Sequence, residues 1–502
     1  MKILLLILLP LSAIICQGKR DYIWLLGGNR TFTTDTTFHG FQIDFNSIVK
    51  RYSIRDRPLP IIRQNNASIC DKNGKLLMYT SGCWISDRLY RPLPNGIINE
   101  GAGHEFTCKY GDYLLPFGTL ILPYGEQENQ YHVIHKFWEF VQDSLTIIAS
   151  TKLLFSKVDM NLNNGYGDLS IKNQILIDQY QSSSDLTATR HSNNIDWWVI
   201  SPGRANNKYF AVQMTDQGPM PYKEQSIGLD FYFLDDGGSQ SCFSPDGRHY
   251  ARMTPSNGLF LMDFDRSTGV LSNFKNIVTG SETNDHTVGV AFSPDSRFVY
   301  LSYRWDLYQY DTQDPDPISA LIHLDTWDGY VEDGIWAAGF DAAMLGPDCK
   351  IYIRTGTSNK VMHVIHDPNQ KGLDCHFQQH GIQLPAWNHA SIPNFVNYRL
   401  GYEPVCDSNL VMSFIGNPNK FMYDALLYPN PVKRELHIEF HEPNNFIKSA
   451  CLLNAAGQLI KKYSFTSISQ KQTIQLDDIQ SGVYFVKIIL ENQRIILKRI
   501  VK

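Results

Sequence analysis

Arg190-His191, followed five residues later by Asp196 and then Trp197-Trp198, is the most chemically suggestive grouping in the chain. A histidine with a nearby carboxylate can act as a general base. The same residues also bracket the polar stretch 192–195 between two apolar runs. As hairpin flanks they would bond the turn backbone while one indole packs between neighbouring sheets, and this reading carries more weight. His104-Glu105 lies in a Gly-rich stretch, but a zinc-binding HExxH would need histidine at 108, where Cys108 stands; a solvated loop pair is the stronger expectation. His363 and His366 sit three apart in VMHVIHDP, so on a strand they face opposite sides and do not share a metal. The acidic run DTQDPDP (311–317) has the oxygen-rich look of a calcium loop without its turn glycine or distal bidentate glutamate, which favours an exposed connection. GxSxG, P-loop and Rossmann glycine patterns are absent from the sequence. Trp84, Trp327, Trp336 and Trp387 fall in or near loop-like stretches, where an indole could stack on a sugar, although packing between sheets is the commoner use. No catalytic residue, metal ligand or cofactor is assigned from these patterns.

The elements that would have to position such residues are read from one repeated hairpin. AFSPDSRFVYLSY (291–303) contains a Ser-Pro-Asp-Ser turn between two apolar runs; proline presets φ and the Asp and Ser side chains bond their own backbone. The unit recurs 49 residues earlier as CFSPDGRHYARM and 53 residues later as MLGPDCKIYIRT, with a weaker copy, SICDKNGKLLMYT, at 68–80. Each strong copy is followed by a further apolar strand: GLFLMDFD, DLYQYDT and VMHVIHD. A period of about 50 residues with several short strands per unit marks β-propeller blades, and roughly 385 residues at that spacing give about seven. Asp246 and Asp295 are then turn formers. Apolar residues alternate with period two, and no convincing amphipathic helix is present. Residues 85–113 read as a long irregular loop over one face. The first strand, 21–26, is expected to pair with 383–401 and close the ring.

Net charge is −5, which gives no footprint for nucleic acid. Aromatic residues make up 12%, as suits a strand-rich protein. Lys2 and the apolar run 3–15 form a signal peptide over residues 1–18, too short to span a bilayer. Cys16 offers a lipoprotein alternative, against which stands the bulky Ile15 before it. No internal run is long and apolar enough for a transmembrane segment. Apart from Cys16, eight cysteines remain, and export favours pairing some of them. Cys83 with Cys108 and Cys375 with Cys406 are the expected bridges, each tying an irregular loop to a blade, with Cys451 a buried thiol.

After a linker at 403–426 the composition changes to a compact run of alternating strands, 427–502, of a length that suits a small Ig-like β-sandwich. Tyr428-Pro429-Asn430-Pro431, Leu436-His437-Ile438, the turn Asn454-Ala455-Ala456-Gly457-Gln458, Ser481-Gly482-Val483-Tyr484 and the ending Lys498-Arg499-Ile500-Val501-Lys502 closely resemble the type A C-terminal sorting domain of proteins exported by the type IX secretion system. The resemblance implies recognition by that secretion machinery and passage across an outer membrane, often with removal of the tail. The preceding body, 19–402, is similar to secreted propeller-like bacterial proteins with the same tail. Stretches such as ASICDKNGKLLMYTSGCWI, LTATRHSNNIDWWV and HGIQLPAWNHASIPNFVNYRLG carry this likeness, and it implies fold and location only. The expectation is an all-β chain, a propeller of about seven blades followed by the sandwich, secreted or on the outer cell surface. Its propeller would bind a glycan or protein. The alternative is a lactonase or glycan-processing hydrolase with its site at the central funnel.

Overall fold

The computed structural model describes residues 18–27, 40–46, 51–54, 63–141, 148–230, 237–282, 287–401, 404–408, 410, 425–429, 431–440, 446–454, 458–491 and 495–502. The chain divides into two compact units, 1–413 and 414–502. Residues 1–17 of the segment expected to be a signal peptide, and most of the expected linker, fall outside the described residues.

Among the described residues of the first unit, seven antiparallel sheets of three to five strands follow the chain in order, with a two-stranded ribbon between the sixth and the seventh. Blade 1 comprises Ile23–Gly27, Gly40–Asp44 and Arg51–Ile54. Blade 2 comprises Ala67–Cys70, Leu76–Thr80, Trp84–Asp87 and Pro92–Ile97. Blade 3 runs from Thr119–Tyr124 to Asp168–Gln181, blade 4 from Thr187–Arg190 to Lys223–Ser226, and blade 5 from Gln240–Phe243 to Val270–Ile277. Blade 6 runs from Gly289–Phe292 to Leu321–Thr326, and blade 7 from Phe340–Leu345 to Phe377–His389. First strands such as Ala67–Cys70 and Gly289–Phe292 are buried throughout, whereas the last strand of blade 5 is mostly exposed. That gradient places the first strands at an axis. Gly289 shows how closely they approach, since a Cβ there would lie 2.4 Å from the Asp341 carbonyl oxygen of blade 7. Apolar clusters continue the circuit: Trp198 with Phe260 joins blades 4 and 5, Met253 with Val290 joins 5 and 6, and Tyr300 with Ile353 joins 6 and 7. A single core then runs from blade 7 through blades 1, 2 and 3 to blade 4. The architecture is a seven-bladed propeller.

The repeated turn has a common geometry. Asp71–Gly74, His191–Asn194, Ser244–Gly247, Ser293–Ser296 and Gly346–Cys349 each close with a bond from the fourth N–H to the first carbonyl. The fourth residue is left-handed in all five, at φ 83°, 61°, 72°, 66° and 63°. Glycine meets that demand at 74 and 247 and asparagine tolerates it at 194, whereas Ser296 and Cys349 hold it against the usual preference. Asp246 accepts from Ser244 Oγ and the Arg248 N–H, inside the turn.

Ring closure differs from the expected pairing of 21–26 with 383–401. Ile23–Gly27 ladders with Gly40–Asp44. It lies antiparallel to the inner strand of blade 2: the Arg20 carbonyl accepts from Cys70 N–H, and the Leu25 carbonyl from Asn66 Nδ2. The segment after blade 7, which has no strand ladder of its own, meets this junction through side chains instead. Ser391 meets Asn66 at one end and Arg399 pairs with Asp21 at the other. Trp24 packs edge-on to Tyr352 at 5.3 Å and against Phe395 at 6.1 Å, so side chains seal the ring. Pro393 also removes a donor that a ladder would need.

Stretch 85–113 is more regular than its glycines suggest. Two strands finish blade 2, then Ala102–Thr107 forms a short α-helix and Cys108–Tyr110 a 3-10 turn. A six-residue helix is too short to show a 3.6-residue period. Cys83 pairs with Cys108, anchoring that excursion. The second bridge corrects the expected Cys375–Cys406 pair: Cys406 joins Cys349, and Cys375 is a buried free thiol. The Asp407 N–H bonds the Pro347 carbonyl, which brings Cys406 onto the blade 7 turn, while Cys375 closes the short helix Gly372–Cys375 elsewhere on that blade.

In the second unit, two sheets enclose a core of Leu436, Ile438, Leu452, Ile474, Val486 and Ile488. One sheet orders Ala425–Tyr428, Glu435–Phe440 and Lys471–Gln475; the other orders Leu459–Ser469, Ile447–Asn454, Val483–Leu490 and Ile495–Val501.

Candidate functional site

The axis is where a propeller most often presents a funnel, and here its own chain enters it. Asn394 reaches the inner ends of several blades at once. Its Nδ2 donates to the carbonyls of Phe117, Thr119 and Leu186 at 3.3, 3.1 and 3.0 Å, and its N–H to that of Asn66. Tyr398 donates its hydroxyl to the Ile121 carbonyl at 2.9 Å, and Asn397 bonds Pro245. Blades 2, 3, 4 and 5 thus all hold segment 394–398. Beside it a cavity of ≈ 80 Å³ remains, walled by Gln240, Ser241, Val290, Ala291, Phe292, Ala343, Met344 and Phe395. That is room for a few water molecules and not for a sugar. Among its described lining residues the ionisable groups are Asp21, Arg399 and Cys242. Asp21 is paired with Arg399, and burial pushes the Cys242 thiol up to about 12.

Arg190, His191 and Asp196 do not assemble as an acid–base set. Arg190 is buried; it donates to the Tyr398 carbonyl from Nε at 3.3 Å and Nη2 at 3.2 Å, and lies over Trp197. It fastens the axial segment. His191 Nδ1 accepts from the Asn193 N–H at 3.0 Å, which leaves Nε2–H to donate to the Ser267 carbonyl at 3.2 Å. The Asp196 carboxylate accepts from Asn193 and Gln213 side chains and is not bonded to the imidazole. His104 Nδ1 lies 3.0 Å from the Ile98 carbonyl with its ring against Trp84, and Glu105 is exposed. His363 is buried between Phe340 and His380, apart from half-buried His366, which faces Lys350 and Gln378. In the acidic run, Asp311 bonds Arg297, Asp314 bonds Lys371, and Asp316 caps the helix Pro317–Ala320. Those carboxylates are held by cations and a helix end. No group of three or more potential metal ligands occurs among the described residues.

Sequence reading missed the charges packed around the inner strands. Lys136, Asp185 and Arg252 are all fully buried. Lys136 donates to the Ser182 and Ser184 carbonyls at 2.6 Å each, and Arg252 Nε to Asp185 at 2.6 Å. Lys136, Arg252 and Arg354, which pairs with Asp341, all lie on the second strands of their blades, 3, 5 and 7; comparing those second strands across the repeats brings the three cations together.

In the tail, motif residues distant in sequence converge. Gly482 and Lys502 exchange backbone bonds at 3.0 and 2.9 Å, Val432 bonds the Val501 carbonyl, and the Lys502 ammonium meets the Lys433 carbonyl. Tyr484 donates to the Gln480 carbonyl at 3.0 Å; Pro429 and Pro431 are exposed, Lys498 lies on the last strand, and Asn430 falls outside the described residues.

The body is similar in structure to a candidate 6-phosphogluconolactonase of Bacteroides uniformis, at 11% identity over 90% of this chain and 99% of that one, TM-score 0.38. It is also similar to the β-propeller domain of Cps50 (Swd1) from Myceliophthora thermophila, at 9% identity over 67% and 94%, TM-score 0.35. The gluconolactonase XC5397 of Xanthomonas campestris gives 10% identity over 66% and 92%, TM-score 0.30. These likenesses are too remote to bear on activity, and the fold rests on the strand order above. No curated protein matches the chain. Residues 426–502 match the family described as the secretion system C-terminal sorting domain. No helix among the described residues is long and apolar enough to cross a membrane. The chain is therefore a propeller protein that carries the sorting tail of the type IX secretion system, and it is secreted or displayed at the cell surface.

Proposed function

We propose that the protein is an exported binding module. Residues 1–18 direct it to the periplasm, the tail engages the type IX machinery, and the propeller binds a glycan or a protein outside the cell. One observation carries the choice of binding over catalysis: the axis, where a propeller hydrolase would work, is occupied by Asn394–Tyr398 bonded to four blades. The cavity left beside it offers only a buried ion pair and a thiol raised by burial. A general acid or base needs a titratable group within reach of substrate and poised near the working pH, and this wall supplies none. The test is to apply the purified secreted protein to a glycan array and, in parallel, to panels of lactones and glycosides. Binding without turnover is expected. Turnover of a lactone or glycoside in the absence of any glycan binding would replace this reading with the hydrolase.

A further inference from the structure

We propose that the ribbon between blades 6 and 7 is a carbohydrate platform that takes neutral sugars; this rests on the binding reading above and gives it a location. After Thr326 the chain leaves blade 6, forms a two-stranded ribbon, Val331–Glu332 with Trp336–Ala337, and returns at Phe340. The register sets Glu332 opposite Trp336, so Tyr330, Glu332 and Trp336 project from one face. Tyr330 is 37% and Trp336 42% exposed. The other tryptophans near loops are already engaged: Trp327 lies 4.5 Å from the Trp305 ring, Trp84 meets the His104 ring, and Trp387 is buried with the Lys360 ammonium over its face.

The ribbon is held in place rather than left loose. Asn359 and Thr357 of blade 7 donate to the carbonyls of Trp336 and Ala337 at 3.2 and 2.8 Å. Gln379 accepts the Asp328 N–H at 3.1 Å, and the Tyr330 ring lies 4.4 Å from that of His380. A fixed aromatic face loses little conformational freedom on binding. Beside the rings stand the acceptors that sugar hydroxyls use. The Glu332 carboxylate takes the Tyr330 hydroxyl at 3.1 Å and lies 3.7 Å from Lys360, and Asp328 is 3.6 Å from His380 Nε2. Aromatic faces match the C–H faces of a pyranose, and carboxylates match its hydroxyl edge.

Charge narrows the class. Asp325, Asp328, Glu332 and Asp333 outnumber Arg304 and Lys360 around the ribbon, which disfavours uronic acids, sulfated sugars and anionic lipid. The ribbon is also small against the roughly 800 Å² that a partner contributes to a stable protein interface.

The experiment is native affinity electrophoresis of the whole secreted protein through gels containing xylan, mannan, galactan, starch or glycol chitin, with alginate as the anionic control. Retardation is expected in at least one neutral gel and not in alginate. Trp336→Ala and Tyr330→Ala should each weaken it about tenfold or more, a typical loss for removing an aromatic anchor. Ile318→Ala, an exposed apolar change on the helix Pro317–Ala320, should leave it unchanged, with melting temperatures alike for all. Retardation that persists in both aromatic variants overturns the location while the binding reading stands. Retardation only in alginate, or none in any neutral gel, overturns the neutral-sugar proposal. Turnover of lactones or glycosides by the same preparation, with no retardation in any gel, removes the binding reading as well.

Discussion

His132 is buried without a hydrogen-bond partner for either ring nitrogen among the described residues, stacked 4.3 Å from Tyr124 and 5.3 Å from Phe155. Burial, with Lys157 nearby, holds its pKa at about 3, and burial does the same for His135 and His363. In the unfolded chain each would titrate near 6.5. Between those values the unfolded state binds more protons, so stability from these three residues is complete above about pH 6.5 and is lost as pH falls toward 3. Each costs up to about 1.4 kcal/mol per pH unit in that window. Urea midpoints should therefore drop steadily from pH 7 to pH 4. His132→Phe should remove one proton from the slope without lowering stability at pH 7, since an apolar ring replaces an unpartnered polar one; a slope unchanged in that variant would contradict the assignment. At this scale sequence is least legible. Arg190, His191 and Asp196 look like a catalytic set because their spacing is short, yet the partner that gives Arg190 its role is Tyr398, 208 residues away.

The element that sequence specifies best is the hairpin turn, because proline, Asx bonding and a left-handed fourth residue are all local properties. What sequence could not show is that one such turn carries a long-range bond. Cys349 takes the left-handed place at φ 63° and bridges to Cys406. Losing the bridge should cost about 2–4 kcal/mol. In its absence the backbone preference should reappear: C349G/C406S is expected to be more stable than C349S/C406S by about 1 kcal/mol, read from urea denaturation of the two variants. Equal stability would mean that the turn relaxes once freed. Axial segment 391–399 escaped recognition for the opposite reason. Its bonds are to carbonyls of strands distant in sequence, and it has neither the alternation nor the ladder of a strand.

The propeller core and the sandwich core share no residue, which suits two units that unfold independently. Deleting 427–502 should leave the propeller's calorimetric transition within about 2 °C of its position in the full chain, a shift smaller than 1 kcal/mol would produce. In cells the same truncation should remain in the periplasm. Normal surface delivery would refute the role of the tail, and a propeller that melts much lower would refute the independence of the units. The blade period, the two-part division and the destination were legible from sequence because each is written in repeats or short motifs. The axial stopper was not, because it depends on the ring already being closed.

The bridge from Cys406 to Cys349 has a mechanical consequence. A pull applied at the sorting tail would arrive at Cys406 before it reached Arg399, Tyr398 or Asn394. Such a load would pass sideways through sulfur into the last blade instead of peeling the stopper out of the axis one bond at a time. A cargo stitched in this way can be towed by its end without being unzipped.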